Sequence, residues 1–216
     1  MCWGAGILNG GTLTINNSTV SYNTIAVSAV DYSACGGGIF NGGGLTINNS
    51  TISYNSVQVV DAPAVASGGG IYNSGQLTIS NSTVSGNTAL NTTTGNGVGG
   101  GISGSATLQN SIVADNIADQ EANCSGTITS NGYNLSSDST CNLAGTGDLN
   151  NIDPKLGPLG NNGGPTQTEA LLPGSPAIDA GNPSGCTDSQ GYLLKTDQRG
   201  APRPDKEDTS GCDMGV

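Results

Sequence analysis

Histidine is absent from the sequence, and only five of its 216 residues are Lys or Arg. None of those five falls within residues 1–114, where the ionisable acids are only Asp31 and Asp61. Without imidazole there is no His-based zinc set, and without CxxC spacing there is no cysteine-based one either. General acid–base chemistry has almost no candidates in the first half. A net charge of −11 with no basic patch excludes nucleic acid as a partner, because phosphate recognition is carried by clustered Lys and Arg. No apolar run is long enough for a membrane-spanning helix, and no signal peptide is present. Charged residues make up 10% and aromatics 4%, so neither ion pairs nor stacked rings can dominate the core.

Glycine is abundant instead, at 36 residues, and it recurs in register. GAGILNGGTLTINNSTVSYN begins at Gly4, GGGIFNGGGLTINNSTISYN at Gly36 and GGGIYNSGQLTISNSTVSGN at Gly68, two steps of 32 residues. A degraded copy, GGGISGSATLQNSIVADN, begins at Gly99. A fixed period of this length marks a solenoid, in which one repeat cannot bury its own apolar face. Within a repeat the apolar period is two, as in Thr12-Leu13-Thr14-Ile15-Asn16, which is the pattern of a half-buried strand. Shorter strands precede it around Ile7, Ile39, Ile71 and Ile102, and follow it around Val20, Ile52 and Val84.

Three strands per repeat joined by Gly and Asn turns predict an all-β, right-handed parallel β-helix of about four regular rungs. Stacking places Leu13/Leu45/Leu77, Ile15/Ile47/Ile79/Leu108 and Val20/Ile52/Val84/Val113 in interior columns. Two polar columns are expected to hold the corners: Asn17/Asn49/Asn81/Asn110 and Asn23/Asn55/Asn87/Asn116. Asn suits corners because it tolerates left-handed backbone and can bond along a stack. The variable segments between rungs read as loops with an extra strand on one side. Phe40/Tyr72 and Tyr22/Tyr54 form aromatic columns, which are either exposed contact faces for sugar or protein, or packing under those loops.

The division expected is regular rungs over 1–116, irregular disulfide-tied rungs over 117–152, and a Pro/Gly-rich capping region over 153–216. Ala170–Leu172 and Ala177-Ile178 are expected to cover the last rung. Six cysteines suggest three bridges in a secreted chain: Cys2–Cys35 on successive rungs, Cys124–Cys141 and Cys186–Cys212. The first rung has no polar cap, so either it continues a longer chain or another copy covers it as a homo-oligomer, giving filaments if the contact does not close. Asp179, Asp188, Asp197 and Asp205 are the best acidic set, with Arg199 and Arg203 among them, and their spacing matches no hydrolase pair or calcium loop.

The strings IDPKLGPLGNNGGPTQTEALLPGSPAIDAG (residues 152–181), TDQRGAPRP (196–204) and CDMGV (212–216) resemble the C-terminal part of bacterial choice-of-anchor Q surface proteins. Those are parallel β-helices of the pectin-lyase-like superfamily and share the GGGIYNxGxLTIxNSTVSGN rung. The chain departs from that pattern at Glu169, where the family usually carries His, and it lacks the anchoring signal. The resemblance implies a secreted, cell-surface protein. The function expected is non-enzymatic: a structural or adhesive module without catalytic residues, metal or cofactor, with a glycan or cell-surface partner. The alternative is a carbohydrate-binding or polysaccharide-processing β-helix.

Overall fold

The computed structural model describes residues 6–28, 33–60, 63–203 and 211–215. Among them the secondary structure is all strand, in five parallel sheets stacked as a β-solenoid of about three turns. Sheet I contains Ile7–Asn9, Ile39–Asn41, Ile71–Asn73, Ile102–Ser103 and Cys124–Ser125. Sheet II contains Thr12–Asn16, Gly44–Asn48, Gln76–Ser80, Ala106–Gln109 and Ile128–Ser130. Sheet III contains Thr19–Ser21, Thr51–Ser53, Thr83–Ser85, Ile112–Ala114, Leu135–Ser136 and Leu149–Asn150.

The interior columns fall in the register that the repeat dictates: Leu13↔Leu45↔Leu77, Ile15↔Ile47↔Ile79↔Leu108 and Val20↔Ile52↔Val84↔Val113. Together with Ile39, Ile71 and Ile102 they form one continuous core. The fourth rung is shorter than expected, because Ile102 meets Cys124 only 22 residues later. The regular solenoid is therefore about three turns, with the fourth rung already part of the irregular end. The Cys124–Cys141 bridge ties that end, with a Cα–Cα distance of 4.8 Å.

The variable segments are more regular than loops. They supply sheet IV (Thr24–Val27, Ser56–Val59, Thr88–Asn91, Ile117–Ala118) and sheet V (Ala34–Cys35, Ala66–Ser67, Gly97–Val98). These two sheets enclose a second core of Ala34, Val57, Val59, Ala66 and Ala89. Small residues suit a narrow inter-sheet space. The glycine triplets let the turns nest: a Cβ at Gly69 would lie 2.4 Å from the Thr88 carbonyl and 2.5 Å from that of Gly100.

The C-terminal region is not a lid on the last rung. From Pro154 onward it runs as an irregular strap along the outer face of sheet III, held by isolated bridges such as Leu156↔Leu171 and Gly160↔Thr168. Ala177 and Met214 pack on Ile112, Ala114 and Leu135 in a third core. Further along, Gln198 Nε2 donates to Thr19 Oγ1 in the first rung (2.9 Å), and Thr51 Oγ1 in the second donates to Gln198 Oε1 (2.8 Å). Thr51, Ser53, Thr83 and Ser85, which would face water on a bare solenoid, are consequently buried. A lid would satisfy only one rung, whereas the strap runs along the outward Thr/Ser columns of three rungs and the Ile112 and Ala114 that continue them in the fourth. The Cys186–Cys212 bridge closes the strap on itself, with a Cα–Cα distance of 5.9 Å. No helix among the described residues is long and apolar enough to cross a membrane.

Candidate functional site

The corner between sheets III and IV is built from two residues per rung. The first residue, Tyr22, Tyr54, Gly86 or Asp115, adopts positive φ (57°, 55°, 62° and 56°). The second is Asn23, Asn55, Asn87 or Asn116. Asn23 Nδ2 donates to Asn55 Oδ1 (2.9 Å), Asn55 to Asn87 (2.9 Å), Asn87 to Asn116 (3.0 Å) and Asn116 to Asn123 (3.0 Å). Each accepting oxygen also takes the backbone N–H of the preceding rung, as at Asn55 N to Asn87 Oδ1 (3.0 Å). This Asn column spans its corner by amide bonding along the stack, and the left-handed turn is made by the residue before it.

The other expected column does adopt left-handed backbone, with φ of 48° to 51° at Asn17, Asn49, Asn81 and Asn110. It is not a continuous amide ladder. Asn49 Nδ2 reaches Asn17 Oδ1 (2.6 Å) and Asn110 Nδ2 reaches Asn81 Oδ1 (3.0 Å). Asn81 spends its amide on the strap carbonyl of Thr187 (2.6 Å), and Asn110 also donates to the carbonyl of Asp213 (3.0 Å). This corner is a docking line for the strap. A third ladder escaped the sequence reading: Asn9 donates to Asn41 (2.7 Å), and Asn41 to Asn73 (2.6 Å). Its signal was the Asn two places after the Ile in each of the first three repeats.

Both aromatic columns stack. Phe40 and Tyr72 have ring centroids 5.3 Å apart and are half-buried on sheet I. Tyr22 and Tyr54 are 5.5 Å apart and nearly parallel, with Tyr22 64% exposed. Below Tyr54 the column changes to Gly86, so there is no third ring; a Cβ there would lie 2.9 Å from a Tyr54 ring carbon. The gap opens into a cleft of about 560 Å³ between solenoid and strap. Tyr54, Ser85, Thr88, Asp115 and Ile117 line it from the solenoid, and Leu156, Pro158 and Glu169 from the strap.

Glu169 is the buried acid of this cleft, at 2% exposure. Ser85 Oγ donates to its carboxylate. Burial raises its pKa to about 7; the Asp115 charge pushes the same way, while hydrogen bonds from Ser85 and Tyr54 oppose it. Burial also raises Asp115, with a further contribution from Asp153. Tyr54 is raised by burial first, then by Glu169, Tyr22 and Asp115.

The described members of the acidic set expected from sequence, Asp179, Asp188 and Asp197, have separate partners. Asp197 is buried against Arg199 (2.6 Å) and accepts the N–H groups of Arg199 and Ala201. Asp188 accepts the N–H groups of Gln190 and Tyr192 in its own turn. Asp179 donates its N–H to Asp213 (2.8 Å), and Asp205 lies outside the described residues. The Asp carboxylates with partners here organise turns of the strap. Arg203 donates to the carbonyl of Gly215 (2.7 Å). The expected Cys2–Cys35 bridge involves Cys2, which is outside the described residues. Among the described residues no group of three His, Cys, Asp or Glu side chains is placed to hold a metal. Comparison with family models, curated proteins and solved structures found no match to this chain.

Proposed function

We propose that the chain is a non-enzymatic extracellular structural and adhesive module, of the kind implied by its resemblance to the choice-of-anchor Q surface proteins. The observation that carries this reading is the Asn23-to-Asn123 amide ladder, which commits the chain's most regular polar groups to rung spacing. A rung stack fixed in this way presents outer columns of uncharged Thr, Ser, Asn and Tyr at strand spacing, a surface suited to repeated weak contacts. The two disulfides fit an oxidising compartment. Rung-on-rung self-association belongs to the same reading, since each strand of the first described rung in sheets I to IV has a single neighbour.

A second reading, carbohydrate binding, is favoured by the exposed Tyr22–Tyr54 stack. The test is to pass the oxidised chain over immobilised neutral and acidic polysaccharides, assay the eluate for new reducing ends and unsaturated sugars, and image the chain by electron microscopy. Retention or filaments without product support the module. Steady product release overturns it, as does a monomer retained by nothing.

A further inference from the structure

The cleft beside Tyr54 gathers acidic groups and no base. The Asp115 charge raises the cost of ionising Glu169, and Tyr54 is raised by both. The nearest strap base, Lys155, has its ammonium beside Gly174 and does not line the cleft. Such an array is complementary to a cation and repels anions, so uronates and phosphates are excluded. A divalent metal is poorly served, because only two carboxylates line the cleft.

The rest of the lining is not that of an ion site. The Tyr54 ring, Ile117, Leu156 and Pro158 supply apolar surface, and Ser85 and Thr88 supply hydroxyls. Its volume of about 560 Å³ lies within the roughly 300–1,000 Å³ usual for small-ligand pockets. We infer that this cleft binds an amino sugar, its protonated amine against the carboxyls of Asp115 and Glu169 and its ring against Tyr54 and Pro158. An alkylamine offers the charge without the ring hydroxyls, and a neutral sugar offers the ring without the charge. The site is local to the corner and independent of adhesion by other faces, so failure here leaves the scaffold reading standing.

The test titrates the oxidised full chain with glucosamine, N-acetylglucosamine, glucose and butylamine at neutral pH, where the glucosamine amine is still protonated. Calorimetry gives affinity, and amide chemical shifts give location. Glucosamine is expected to saturate, with shifts centred on Tyr54, Gly86 and Asp115, and the other three to bind at least about tenfold more weakly, the weight of one lost charge or hydrogen-bond set. Asp115→Asn should weaken glucosamine by about tenfold, and Asp115→Lys, which places an internal ammonium in the cleft, should abolish its binding. Tyr72→Ala, on another face, should change nothing. Asp115 is exposed, so both variants should keep the wild-type unfolding midpoint; if either does not, the wild-type shift map still decides. Equal binding of butylamine overturns the sugar, and equal binding of N-acetylglucosamine overturns the ammonium. Shifts located elsewhere, or no saturation at all, overturn the site.

Discussion

In the rungs a side chain bonds its own equivalent one turn away; in the strap it bonds whatever the solenoid leaves open. Asn55 meets Asn87 and Ser50 N–H meets Ser82 Oγ, both at a separation of 32 residues. Gln198, by contrast, has no counterpart elsewhere in the chain: one side chain bridges Thr19 and Thr51 of successive rungs to Thr166 of the strap itself. The rungs from Gly6 to Ala114 carry almost no charge, whereas the strap carries carboxylates that order its own turns. Repetition makes each rung's partners identical, so neighbouring rungs need no ions to choose each other. A segment that docks only once needs individual polar matches and a disulfide.

Four measurements break or sharpen that contrast. The largest effect is expected from Asn87→Ala, which removes the acceptor of the Asn55 backbone and side-chain N–H groups and the donor to Asn116 and Ile52. With two or more buried partners orphaned at roughly 1–3 kcal/mol each, denaturant unfolding should show a loss of about 4 kcal/mol. The Cys186→Ser/Cys212→Ser pair should cost the strap about 3.5 kcal/mol by the chain-entropy estimate. Hydrogen exchange should then rise along the strap and at Thr83 and Ser85, while the Ile47 and Ile79 amides keep their protection. Equal loss in both places would show that the two regions fold as one unit.

Glu169 gives the third measurement. Its folded pKa of about 7 lies above the ordinary 4.5, so the folded state holds the proton more tightly. Its contribution is fully present below about pH 4.5 and is lost as pH rises through about 7, amounting to about 3 kcal/mol over that window. Asp115 moves in the same direction. Glu169→Gln should keep the strap docked and flatten this part of the pH–stability profile; an unchanged slope would remove Glu169 as its source. The smallest effect is expected from Tyr22→Ala, an exposed end of the stack, at about 0.5–1 kcal/mol in thermal unfolding.

The rungs were legible because each column is written three times. Leu13/Leu45/Leu77 gives the register directly, and no other alignment keeps Ile15 over Ile47. Sheets IV and V were less so: Ile25/Val27 and Val57/Val59 alternate alike, but the surrounding letters differ, and the pattern shows one extra strand per segment where the structure has two. The course of the strap was not legible. Its prolines forbid a ladder, its apolar residues have no period, and its targets are Thr and Ser hydroxyls that look like ordinary outward strand positions. The cleft was hidden for the same reason, since Ser85 and Glu169 are 84 residues apart, one in a repeat and one in the tail, and neither string says that the two meet.

A stack of rungs is nearly one-dimensional, and each unit feels only its neighbours, so such proteins can fray from one end at modest cost. The strap changes that arithmetic. It touches Thr19, Thr51, Ser85 and Gln109, one in each successive rung. Opening the first rung therefore also disturbs the segment that seals the fourth. The chain gains a coupling between non-adjacent units that a bare solenoid lacks, and melting becomes a concerted event instead of a zipper running down the axis.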